Sequence, residues 1–94
     1  MSKTEVKVLY EKLPFITRNC YRVNNLIPHL LSKHVLTDIT EMYISEPIYD
    51  EDKLLRLVNV LTTKENGLKA LCDAFINTQQ QFIADEILSE YSIM

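Results

Sequence analysis

The chain has 94 residues, 47% hydrophobic and 24% charged, with a formal charge of −3 and a pI near 5.3. This suits one ordered globular core, leaves no room for a second domain, and argues against a phosphate-binding role, which needs clustered Lys and Arg. One Gly and three Pro are too few for the tight turns of an all-β domain, so an all-α fold over residues 1–94 is expected.

Apolar residues recur at helical spacing along the chain. Over residues 3–22, Val6, Leu9, Leu13, Ile16 and Cys20 form one stripe. Pro14 falls inside it and predicts a helix kinked or split near residues 12–14, because proline removes one hydrogen bond and clashes with the preceding turn. Asn24 and Asn25 offer an N-cap for a second helix carrying Leu26, Ile27, Leu30 and Leu31, with Pro28 in its first turn. Thr37 reads as the cap of a third, short helix with Ile39, Met42 and Tyr43 facing inward, ended by Ser45-Glu46-Pro47. Asp50 is expected to cap a fourth, where Glu51 and Asp52 suit the helix dipole and Leu54, Leu57, Val58 and Leu61 face inward. After a break from Thr62 to Gly67, a fifth helix carries Leu68, Leu71, Cys72, Phe75 and Ile76. Thr78 is expected to cap a sixth, with Phe82, Ile83, Ile87 and Tyr91 inward. Six short helices with brief connections predict an antiparallel bundle.

Charge is unevenly placed. Residues 1–33 carry Lys3, Lys7, Lys12, Arg18, Arg22 and Lys33 against Glu5 and Glu11, a net +4. Residues 34–52 carry Asp38, Glu41, Glu46, Asp50, Glu51 and Asp52 without a Lys or Arg, a net −6. A chain with a basic end and an acidic middle can pair head to tail with copies or relatives. Cys20 and Cys72 lie in apolar stretches and are read as buried reduced thiols. The N-terminus lacks a signal-peptide apolar run and no segment reaches membrane-spanning length, so a cytoplasmic protein is expected, with no membrane partner.

The run Asn25 to Thr37, reading Asn-Leu-Ile-Pro-His-Leu-Leu-Ser-Lys-His-Val-Leu-Thr, resembles the second-helix pattern of caspase recruitment domains (CARDs) of the death-fold superfamily. Residues 52–61, Gly67-Leu-Lys-Ala-Leu-Cys-Asp-Ala-Phe-Ile-Asn-Thr78 and residues 82–88 are similar to its fourth, fifth and closing helices. The likeness covers residues 5–91. Two features differ: Lys64-Glu65-Asn66 makes the turn before Gly67 one residue longer than usual, and Pro14 and Leu55 stand near places where strongly basic members carry Arg.

The resemblance implies a kinked-first-helix death fold and homotypic association. The expected partners are other CARD-containing proteins: caspases, adaptors or sensors of apoptotic or inflammatory signalling. It also implies a heterologous contact between the first and fourth helices of one subunit and the second and third of its neighbour, which can build an oligomer or filament. The basic face is expected at Arg18, Arg22, Lys53 and Arg56, and the acidic face at Asp38, Glu41 and Glu46. Another death-fold subfamily, death effector or pyrin-like, and an inhibitory decoy are the alternatives.

No catalytic constellation is legible. His29 and His34 stand five apart, off the four-residue spacing of helical metal ligands, and no Glu accompanies them. Asp85 and Glu86 are adjacent and point apart. No catalytic, cofactor-binding or metal residue is therefore assigned, although the chain could be the non-catalytic prodomain of an enzyme. A helix-turn-helix DNA reader is the remaining class, and the acidic third helix disfavours it, so no nucleic-acid partner is expected.

Overall fold

A computed structural model describes residues 1–93. Six α-helices appear among them: α1 (Lys3–Asn19), α2 (Ile27–Ser32), α3 (Asp38–Ser45), α4 (Asp50–Leu61), α5 (Gly67–Asn77) and α6 (Gln81–Ile93). The expected all-α bundle is present, while several starts and faces differ from expectation.

Helix α1 opens on a capping box: Ser2 Oγ accepts from the Glu5 N–H and Glu5 Oε1 accepts from the Ser2 N–H. It then runs unbroken through Pro14, so the expected split does not occur. Pro14 lies on the exposed side, where its missing hydrogen bond leaves a carbonyl open to water. The buried residues are Val8, Leu9 and Ile16, with Leu13 packed at the margin.

Beyond Cys20 the chain turns at Arg22, whose φ of 63° is unusual for a non-glycine residue, and makes one 3-10 turn over Val23–Asn25. Asn24 and Asn25 belong to that turn and do not cap α2; Leu26 occupies the cap position without a side-chain hydrogen bond. Pro28 sits in the first turn as expected.

Helices α2 and α5 end alike. After α2, Val35 N–H donates to the Leu30 carbonyl and His34 N–H to that of Leu31; after α5, Gln80 N–H donates to Phe75 and Gln79 N–H to Ile76. These are Schellman closures, and their left-handed residues are His34 (φ 61°) and Gln79 (φ 66°), where glycine is usual. Thr78 closes α5, its hydroxyl donating to the Ala74 carbonyl, and does not cap α6.

Thr37 caps α3 as expected, in a reciprocal box with Thr40. The inward face assigned to α3 is overturned: Ile39 is 79% exposed, Met42 73% and Tyr43 47%, and only Ile44 is buried. Among the described residues this eight-residue helix packs chiefly on α4, which leaves most of its other side open. Asp50 does not cap α4 but begins it, behind an extended Tyr49, and its carboxylate instead accepts from the Val23 N–H at 3.4 Å. The α4 stripe of Leu54, Leu57, Val58 and Leu61 is buried as expected.

The core joins these residues to Leu68, Leu71, Cys72 and Phe75 of α5 and Ile83, Ala84 and Ile87 of α6. Phe82 and Tyr91, expected inward, are 53% and 41% exposed, and Ile76 is exposed as well. Gly67 is needed for approach rather than for its backbone angles: a Cβ there would stand 2.2 Å from the Leu61 carbonyl oxygen. Helix α1 lies antiparallel to α4, since the Met1 amine donates to the Lys64 carbonyl, the Tyr10 hydroxyl to Asn59 Oδ1 and the Val23 N–H to Asp50. It is also antiparallel to α6, where Lys12 Nζ lies 3.6 Å from Glu86 and 3.7 Å from Glu90, and Phe15 meets Phe82 edge to face. One buried amide ties the ends together: Gln80 Oε1 accepts from the Tyr21 N–H at 2.7 Å while its Nε2 donates to Thr78 Oγ1 at 2.8 Å.

Candidate interaction surface

The seven charged residues expected on two faces divide differently in space. Arg18 is exposed in the last turn of α1, and Arg22 is exposed just beyond, its guanidinium 5.5 Å from the Tyr21 ring centroid. Lys53 and Arg56 are half-buried on α4. Asp38 is exposed at the start of α3, Glu41 half-buried one turn on, and Glu46 exposed at the helix exit.

Two of the seven meet within one molecule. Arg56 Nη1 lies 3.2 Å from Glu46 Oε1 and donates to the Tyr43 carbonyl at 2.8 Å, with the guanidinium 4.6 Å from the Tyr43 ring centroid. Arg56 therefore pins α3 to α4, combining a charge-assisted hydrogen bond with a cation–π contact. Its charge is already answered by its own chain. The antiparallel pairing also sets the basic end of α1 beside the acidic first turn of α4: Arg22 and Asp50 line one shallow polar depression with Asn24 and Asn25.

Two surface features were missed in the sequence. Lys3, Lys7, Tyr10, Pro14 and Arg18 are all exposed and follow one another at spacings of four, three, four and four, so they form a single outer stripe of α1. That spacing is legible in the sequence, as the complement of the inward stripe. On α3 and its exit, Ile39, Met42, Tyr43, Ile48 and Tyr49 form a run of exposed large apolar residues, Ile48 being 88% exposed. Asp38, Glu41, Glu46, Asp50, Glu51 and Asp52 occur among and just after them in the chain, on α3, at its exit and in the first turn of α4. Large apolar side chains left exposed beside charged ones are a common feature of association surfaces.

Neither thiol is set up for chemistry. Burial, and secondarily the Asp50 carboxylate, push Cys20 up to about 11; burial and then Asp73 do the same for Cys72. A nucleophile needs the opposite shift. His34 is exposed and held in the left-handed turn after α2, apart from His29 within it. Among the described residues no group of three metal-ligating side chains gathers, and no helix is long and apolar enough to cross a membrane. Comparison of the chain with profiles of known families, with curated proteins and with solved structures finds no match.

Proposed function

We propose that this chain is a non-enzymatic adhesion module of the CARD type, which recruits or polymerises with other CARD domains in apoptotic or inflammatory signalling within the cytoplasm. The observation that carries the reading is the uneven surface charge: carboxylates exposed on α3 and at the start of α4, and Lys3, Lys7 and Arg18 exposed along one side of α1. Opposite surfaces on one small module favour directional association with another such module, by steering encounter and penalising wrong registers. The order of the sequence motifs adds the family, and the six-helix bundle is compatible with it.

Charge reversal tests the reading. Arg18 is the cleaner basic site, because Arg56 is already paired with Glu46. Glu41→Arg and Arg18→Glu should each weaken binding to CARD modules about tenfold or more at low salt, and mixing the two reversed proteins should restore it. Fluorescence-detected titration at two salt concentrations reads this. Unchanged affinities in both variants would remove the support.

One observation favours the second reading, another death-fold subfamily. A split first helix favours CARD over death effector and pyrin-like domains, and α1 runs as one continuous helix over Lys3–Asn19. Binding measured against a panel of purified death-fold modules separates the two.

A further inference from the structure

We infer that Tyr49 is a phosphorylation site: a protein tyrosine kinase with a basic substrate groove takes residues 46–52 and transfers the γ-phosphoryl group of ATP to the Tyr49 hydroxyl. The bond from Oη to phosphorus forms as the bond from phosphorus to the departing ADP oxygen breaks, and the phenol proton passes to the base of the kinase. The inference does not rest on the adhesion reading above.

The fold separates Tyr49 from the other four tyrosines. In-line transfer needs a hydroxyl that reaches deep into another protein's cleft, on a backbone the cleft can hold extended. Tyr10, Tyr43 and Tyr91 sit inside α1, α3 and α6. The Tyr10 hydroxyl is also tied to Asn59, and the Tyr43 ring lies under Arg56. Tyr21 is outside a helix and 66% exposed, but its N–H is held by the buried Gln80 and its ring lies under Arg22. Arg18 and Arg22 beside it would also repel a basic groove. Tyr49 is 67% exposed, its backbone is extended (φ −91°, ψ 139°), and among the described residues its hydroxyl makes no hydrogen bond.

The surroundings of Tyr49 supply the recognition. Glu46 precedes it by three residues and Asp50, Glu51 and Asp52 follow it directly, and all four are exposed, as is Ile48 beside it. A substrate groove lined by Lys and Arg complements that segment. Tyr49 occupies the cap position of α4 without a side-chain hydrogen bond to the helix. An uncapped first turn frays easily, which lets the three acids follow Tyr49 into the groove. Once attached, the phosphate adds about −1.5 to −2 charges at pH 7 to the most acidic stretch of the chain, and that corner then favours Arg-lined pockets.

The test treats the purified, folded 94-residue chain with Mg²⁺, ATP and the catalytic domain of a tyrosine kinase that accepts acidic peptides. Site-resolved mass spectrometry follows each tyrosine over time. Tyr49 should be modified at least about tenfold faster than any other tyrosine, because the helical ones must first open and Tyr21 is held by Gln80. Tyr49→Phe removes only an exposed, unbonded hydroxyl and should lower the initial rate about tenfold or more, whereas Tyr21→Phe should leave it unchanged. Glu51→Gln/Asp52→Asn should slow modification of Tyr49 at least about threefold, since the groove then loses two charge partners. A Tyr49 rate no greater than that of Tyr21 or of a helical tyrosine overturns the inference. So does a Tyr49 left unmodified while the kinase phosphorylates an acidic control peptide. An unchanged rate in the neutralised variant overturns it as well, because the acidic segment would then not be what the kinase reads.

Discussion

Helices α3 and α4 are neighbours built on similar patterns with opposite outcomes. Both carry large apolar residues at spacings of three and four, yet α4 buries its four and α3 exposes three. The difference lies in their surroundings. Helix α4 is flanked by α1, α3 and α5, whereas α3 rests chiefly on α4 through Ile44 and the Arg56–Glu46 pair. Periodicity announces that a helix has an apolar face; it does not say whether this molecule or another covers it.

The sharpest way to break that comparison is paired truncation. Leu57→Ala should cost about 2–5 kcal/mol, because it empties a fully buried site, while Met42→Ala should stay within about 0.5 kcal/mol. Urea unfolding midpoints read both, and similar losses would mean that α3 is part of the core. A smaller effect belongs to the buried thiols. Their ordinary value of 9.0 rises to about 11 on folding, so both states hold the proton below pH 9. Between about pH 9 and 11 only the unfolded chain ionises, and the stability contributed below that window is lost as pH rises through it. A Cys20→Ser/Cys72→Ala protein should therefore show a shallower decline in urea midpoint than the wild type across the window; parallel declines would refute the assignment. The smallest effect is a gain. His34→Gly, on the approach to α3, and Gln79→Gly, between α5 and α6, should each stabilise by about 0.5–1 kcal/mol by relieving a left-handed backbone. Thermal melts check the sign, and a loss at either site would show that its side chain holds the turn.

These contrasts also explain what the sequence disclosed. The α4 stripe, the Thr37 cap and the stop before Pro47 were readable because local chemistry decides each. Thr78 was misread because a threonine between two helices suits either the end of one or the start of the next, and here its hydroxyl turned back to Ala74. The Schellman turns left no trace because His34 and Gln79 stand where glycine would have announced them. Gln80 carried no signal either, since its partner Tyr21 lies 59 residues away. For the candidate surface, the segregation of charge was plain in the sequence. The engagement of Arg56 by Glu46 and Tyr43 was not, since it depends on how α3 lies across α4.

The position of α1 carries a consequence for how the protein comes to exist. Its polar ties reach Asn59, Lys64 and Gln80 across 49, 63 and 59 residues, and its ion pairs reach Glu86 and Glu90 on the final helix. During synthesis α1 is made before the helices it packs against, so its apolar side is unsheltered until they emerge. The packing of α1 is thus completed only when α4 and α6, which follow it in the chain, are in place.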